Sequence, residues 1–96
     1  MTSLHLRVEG RVQGVGFRWF ARVTARRLQL SGWVRNLPDG SVEIAASGRP
    51  EKLDEFKRLM SRGPDGAAVS AVKELPLVEE DLEFPFAMKR GDSSGR

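Results

Sequence analysis

A glycine-rich stretch between a predicted strand and a predicted helix is the first candidate for chemistry, with the sequence Gln13-Gly14-Val15-Gly16-Phe17-Arg18. Glycines allow backbone dihedrals that other residues avoid, so successive N–H groups can converge on an anion where the helix begins. Arg18 falls in the first helical turn, where a cation is unfavourable by about 0.3–1 kcal/mol. An anion bound between the amides and the guanidinium would offset that cost. The stretch therefore predicts a phosphate-binding loop, and a tight turn that requires glycine is the alternative.

Asn36, near the end of a predicted strand, is the second candidate. Strand alternation places Val34 and Asn36 on one face. A neutral amide can hold a water molecule through its carbonyl oxygen and donate from its NH2 group to an oxyanion, whereas a carboxylate would repel an incoming phosphate. Asparagine before a turn is also a common turn former, so both interpretations stay open on this residue alone.

Hydrophobic periodicity predicts the elements that must position these residues. Residues 2–9 alternate as a half-buried strand, and from Phe17 the period changes to that of a helix, which Gly32 is predicted to end. Later segments indicate two strands joined by Pro38-Asp39-Gly40, a second helix from Pro50, and two further strands at residues 69–75 and 84–88. The apolar residues of 69–75 fit neither face, which predicts a bulge, and Pro85 confines the last strand to an edge.

This element order predicts an α+β fold. The economical packing of β-α-β-β-α-β is the ferredoxin-like sandwich, an antiparallel sheet with two helices on one face, here with a short C-terminal edge strand. Residues 1–88 are predicted to form a single domain. Residues 89–96 contain Gly, Ser and charged side chains and are predicted to be a disordered tail.

Composition narrows the class of protein. The chain has 96 residues and no cysteine, which excludes disulfides, thiolate metal sites and a cysteine nucleophile and is compatible with a reducing cytoplasm. No apolar run reaches the roughly 20 residues that span a bilayer, and the start does not have the order of a signal peptide. The net charge of +3 is uneven: residues 1–36 hold seven arginines and one acid. Such a region can attract anions, either small phosphate compounds or nucleic acid, and a solvated basic face is the alternative.

Two sequence signatures together resemble the acylphosphatase family. The first is the run of residues 10–18, which includes the glycine-rich stretch, and the second is Gly32-Trp33-Val34-Arg35-Asn36. Further positions fit in order, so the resemblance covers about residues 4–88; these positions are Gly40, Val42, Gly48, Gly63-Pro64 and Val69. The fold of that family agrees with the order read from periodicity.

The resemblance implies hydrolysis of the carboxyl–phosphate anhydride of acyl phosphates, with inorganic phosphate as product and inhibitor. Arg18 matches the family's phosphate-binding arginine, Asn36 matches the asparagine that positions the attacking water, and residues 13–17 match the phosphate cradle. We expect no cofactor and no metal, because His5, the only histidine, has no partner at ligand spacing and is predicted to lie on the exposed strand face. A monomer without membrane or nucleic-acid partners is expected.

Two other functions compete with this interpretation. The run Gly16-Phe17-Arg18-Trp19-Phe20 faintly resembles the aromatic motif of RNA-binding ferredoxin-like modules. In those modules the aromatic residues lie on a central strand, whereas here they fall on a helix. The other alternative is a regulatory or accessory acylphosphatase-like domain, of the kind that precedes a carbamoyltransferase module in larger proteins. The short chain favours a free-standing enzyme.

Overall fold

The computed structural model of the chain describes residues 2–90. Its elements are β1 (Thr2–Arg11), α1 (Phe17–Arg27), β2 (Ser31–Asn36), β3 (Val42–Gly48), α2 (Pro50–Arg62), β4 (Ala68–Glu74) and β5 (Ala87–Met88). The sheet order is β4-β1-β3-β2-β5, and β5 pairs parallel with β2 while the other pairs are antiparallel. The predicted ferredoxin-like α+β class is confirmed, with a mixed rather than a fully antiparallel sheet. Neither helix of residues 2–90 is long and apolar enough to cross a membrane.

A single hydrophobic core lies between the helices and one face of the sheet. Alternate strand residues point into it, because successive side chains of a strand face opposite sides. The strand contributors are fully buried and include Leu6, Val8, Val34, Val42 and Ile44. The predicted helical stripes meet them through Phe17, Ala21, Leu28, Leu53, Phe56 and Met60, while Phe20 and Leu59 are only partly buried.

The end of α1 differs from the sequence prediction. The helix stops at Arg27, and Gln29 takes the left-handed conformation (φ 60°) that a glycine commonly takes after a helix. Gly32 lies inside β2 instead of ending the helix, so that prediction is wrong. A Cβ at Gly32 would lie 2.0 Å from the carbonyl oxygen of Ala45, so glycine is required there for the close approach of β2 to β3.

The predicted bulge in the fourth strand is confirmed. The pairing of β1 with β4 shifts register between Glu9 and Gly10, which leaves Ser70 opposite no residue. Val69 and Val72 consequently both pack against the core. The extra residue explains why the apolar positions of β4 do not follow the simple period of two.

The connection from β4 to β5, residues 75–86, covers part of the helix-free face of the sheet. His5 lies beneath it, with Nδ1 donating to the carbonyl of Pro76 at 2.7 Å and Nε2 2.6 Å from Oε2 of Glu43. Only 11% of the His5 side chain is exposed, so its predicted face is right and its predicted exposure is wrong. Burial acts to raise the pKa of Glu43, but hydrogen bonds from His5 and Arg35 outweigh it and hold that pKa below its ordinary value.

The last strand is shorter than predicted. Only Ala87 and Met88 pair with β2, and Phe84 is 64% exposed. Phe86 is fully buried, with its ring 5.9 Å from that of Phe56. The edge position expected from Pro85 is confirmed by the sheet order.

Candidate active site

The strand directions bring three distant parts of the chain to one edge of the sheet. Both β1 and β2 are antiparallel to β3 and so run in the same direction, and β5 is parallel to β2. Their carboxyl ends therefore lie at the same edge of the sheet, with the start of β3 between the ends of β1 and β2. They deliver the loop of residues 12–16, Asn36 and Met88 to a common pocket of about 210 Å³.

The loop before α1 has the backbone geometry of an anion-binding nest. Gly14 and Gly16 are left-handed (φ 77° and 79°), and Val15 between them is not. Alternation of this kind turns successive N–H groups toward one point. A Cβ at either glycine would meet nothing within 4 Å, so it is the positive φ, not crowding, that requires glycine. Val15 directs its side chain at the core and contributes its backbone to the loop.

The amides of this loop and of the first helical turn remain available. Within residues 2–90, no carbonyl or side-chain oxygen accepts a hydrogen bond from the N–H groups of residues 14–19. The first helical bond runs from Phe20 N to Gly16 O at 3.0 Å. These N–H groups, together with the positive end of the helix dipole, form a strong donor set for an anion.

The side chain of Gln13 has a structural role that differs from that of the backbone around it. Its Nε2 donates to the carbonyls of Leu37 and Ser41, at 2.9 Å each. Two carbonyl acceptors require the NH2 group at this position. The side chain therefore joins the loop to the β2–β3 hairpin, next to Asn36, which leaves only the backbone of Gln13 to face a ligand.

Asn36 ends β2 on the same side of the sheet as the helices. Its backbone partner is Val42, and Val34, two residues earlier, is fully buried beneath α1. The carboxamide makes no hydrogen bond to any other part of residues 2–90, and it lines the same pocket as Arg18. Sequence alternation correctly placed Asn36 and Val34 on one face.

Arg18 is held at the pocket by the end of the described chain. Its Nη1 donates to the carbonyl of Lys89 at 2.8 Å, and the amide of Lys89 in turn donates to the carbonyl of Val34 at 2.8 Å. A guanidinium has five N–H donors, so this single bond fixes its direction and leaves donors for an anion. Lys89 and Arg90 are described, whereas the rest of the predicted tail, residues 91–96, lies outside the described residues.

The pocket is electrically suited to a phosphate group. None of the residues that line it is acidic, and Arg18 is its charged member; the lining is Val12, Gln13, Gly14, Gly16, Phe17, Arg18, Trp19, Asn36 and Met88. Within residues 2–90, no three His, Asp or Glu side chains group together as metal ligands would. The arrangement can hold a dianion by backbone N–H groups and one guanidinium beside a carboxamide.

Sequence reasoning missed several contributors to this site, among them Trp19, Met88 and the carbonyl of Lys89. Trp19 follows Arg18 and lies off the core stripe of α1, which is a signal that could have marked it as a pocket residue. Met88 and the carbonyl of Lys89 depend on the parallel pairing of β5 with β2. No local pattern specifies that pairing across a connection of this length.

Comparison with known proteins gives consistent matches. The family model described as Acylphosphatase matches residues 4–87. A relative from Pseudomonas aeruginosa, an acylphosphatase, is 51% identical over 76 residues, covering 77% of this chain and 84% of its own. The crystal structure of acylphosphatase from Bacillus subtilis is 36% identical with a TM-score of 0.79, covering 93% of this chain and 99% of its own. HypF of T. kodakarensis is 35% identical with a TM-score of 0.75, covering 93% of this chain but 12% of its own.

Proposed function

Because the chain belongs to the acylphosphatase family and hydrolyses acyl phosphates, we propose that Arg18 and the loop of residues 13–17 bind the phosphoryl group. We propose further that Asn36 positions the attacking water. The observation that carries the proposal is the convergence of unpaired amides, one guanidinium and one free carboxamide on a single pocket. Phosphoryl transfer needs mainly positioning and charge stabilisation, which these groups supply.

The reaction is a displacement at phosphorus. The oxygen of water, held by the Asn36 carboxamide, forms a bond to phosphorus while the bond from phosphorus to the acyl oxygen breaks. The electron pair leaves with that oxygen as a carboxylate, which needs little protonation, so no general acid is required. Among residues 2–90, no carboxylate or histidine lines the pocket. We therefore propose that the water proton passes to a phosphoryl oxygen of the substrate.

Metal-independent turnover follows from the same groups. The amides of residues 14–19 and Arg18 are directed at the charge that a metal ion would otherwise neutralise. We expect the chain to hydrolyse a synthetic acyl phosphate at the same rate with and without excess chelator, measured by the release of phosphate. A rate that falls with chelator and returns with added Mg²⁺ would contradict metal independence, and no turnover under either condition would contradict the proposed roles.

Inorganic phosphate is the proposed product inhibitor. It presents the same charge and oxygens to the loop and Arg18 as the substrate does, so its inhibition is competitive. A monomeric state and a cytoplasmic location complete the proposal. A core closed within one small chain supports the first, and a composition without cysteine is compatible with the second.

We propose that residues 1–88 form the domain, followed by a tail whose first residue, Lys89, contacts Arg18, and two truncated chains test whether that contact matters. Truncation after Met88 removes the carbonyl that orients Arg18 and leaves a carboxylate beside the pocket, so KM for an acyl phosphate is expected to rise about tenfold. Truncation after Arg90 is the matched control and should leave KM unchanged, because the residues of the site all precede it. Equal KM values for the two truncated chains would mean that Lys89 contributes nothing.

The likeness to a small part of HypF supports a second candidate, a domain of the same fold that serves a larger protein. Turnover by the 96-residue chain alone distinguishes the two functions. A free-standing enzyme is active by itself, whereas a serving domain would depend on the remainder of its protein.

A further inference from the structure

Two large apolar side chains stand at the pocket without being buried. Trp19 and Met88 line it, yet they are 58% and 40% exposed. Large exposed apolar groups are not unusual singly, but two at the rim of one pocket are a candidate contact surface. We call Trp19 and Met88 the apolar rim.

Both residues of the apolar rim are held in place by neighbours. The guanidinium of Arg22 lies over the Trp19 ring, 5.2 Å from its centroid, one helical turn further along α1. Met88 pairs with Val34 across the parallel strands. Arg18 and Trp19 line the same pocket, so a group bound to this guanidinium shares that pocket with the indole.

The acyl end of a bound substrate starts close to this rim. Its carbonyl is joined to the phosphoryl group through one oxygen, so once the phosphoryl group is held by Arg18 and the loop, the acyl substituent begins within a few bond lengths of them. The rim offers an indole and a thioether and no carboxylate. Aromatic groups pack favourably against both, by ring stacking or edge contact and by contact with sulfur.

We propose that the apolar rim is the acyl-binding subsite and selects acyl phosphates whose acyl group is aromatic. This inference depends on the proposed phosphate-binding roles of Arg18 and the loop. An acetyl group is too short to cover the indole, whereas a benzoyl ring is of the size to do so. Trp19 is therefore a specificity-determining residue of the site, acting on the substrate portion that Arg18 and Asn36 do not contact.

The test compares benzoyl phosphate with acetyl phosphate in the same enzyme and its variants. Trp19→Ala is expected to lower kcat/KM for benzoyl phosphate about tenfold and to change that for acetyl phosphate less than about twofold. Met88→Ala should act in the same direction with a smaller effect. The ratio of variant to unaltered enzyme is taken for each substrate, which cancels the difference in their intrinsic reactivity.

Three controls separate a subsite from a structural effect. Val23→Ala removes an exposed apolar side chain from the next turn of α1, outside the pocket. It should leave kcat/KM unchanged for both substrates. Trp19→Phe should restore most of the benzoyl phosphate activity. Inhibition by inorganic phosphate should be the same in Trp19→Ala as in the unaltered enzyme, because phosphate does not reach the rim.

The outcomes are distinguishable. Equal losses for both substrates in Trp19→Ala, or a selective loss for an anionic acyl phosphate such as succinyl phosphate, would overturn the aromatic subsite while the proposed function stands. If the unaltered enzyme hydrolysed neither benzoyl phosphate nor acetyl phosphate, the proposed function would be overturned and the inference with it. A selective loss for benzoyl phosphate, with phosphate inhibition unchanged, supports the subsite.

Discussion

Arg18→Ala is expected to raise KM for an acyl phosphate and the inhibition constant of inorganic phosphate together, lowering kcat/KM by about 10²–10³-fold. The guanidinium is the charged group of the pocket, and the bond to the Lys89 carbonyl holds it there. Removing it leaves a dianion with backbone donors alone. Steady-state kinetics and competitive inhibition by phosphate measure the two constants.

Two substitutions serve as controls for this prediction. Arg27→Ala removes the same charge from the far end of α1, where the side chain is exposed, and should have little effect beyond a small change in the field. Arg18→Lys keeps the charge but loses the planar fork, so an intermediate loss is expected. If Arg27→Ala were as damaging as Arg18→Ala, general attraction of anions, rather than direct binding, would be the role of Arg18.

Asn36→Ala is expected to lower kcat by about 10²–10³-fold while KM and the phosphate inhibition constant change little. The carboxamide makes no other hydrogen bond within residues 2–90, so its removal breaks no structural contact of the side chain. What is lost is the group that we propose orients water toward phosphorus. Asn36→Asp should also raise KM, because a carboxylate repels the phosphoryl group.

Phosphate inhibition provides the internal control for Asn36. An unchanged inhibition constant and an unchanged thermal midpoint would establish that the pocket remains formed in Asn36→Ala. Loss of phosphate affinity in parallel with kcat would contradict a role in positioning water and would indicate that Asn36 shapes the loop instead. A kcat close to that of the unaltered enzyme would remove Asn36 from the mechanism.

Much of this site could be predicted because its residues depend on local signals. The positive φ values of Gly14 and Gly16 follow from a strand-to-helix turn that only glycine accommodates easily, and strand alternation fixed the face of Asn36. The loop and Asn36 lie close together because β1 and β2 run in the same direction and end at the same edge of the sheet. The catalytic roles of these residues remain predictions that the variants above test.

The failures of sequence reasoning involve contacts between segments far apart in the chain. The exposure of His5 depends on a connection that arrives some 70 residues later, through Pro76. Gly32 has the sequence context of a residue that ends a helix. Glycine is required at this position because the backbone of Ala45 on the neighbouring strand leaves no room for a Cβ atom. Met88 lines the pocket because β5 pairs with the edge of β2, and the local sequence of neither strand predicts that pairing.

The parallel course of β1, β2 and β5 has a thermodynamic consequence. Because the pocket is assembled from the beginning, the middle and the end of the described chain, none of these three parts forms it alone. In the proposed function phosphate binds only the folded state, so added phosphate is expected to raise the free energy of unfolding by an amount that grows with the ratio of its concentration to its Kd. Cleavage by a protease that acts on the unfolded chain is then expected to become slower as phosphate is added.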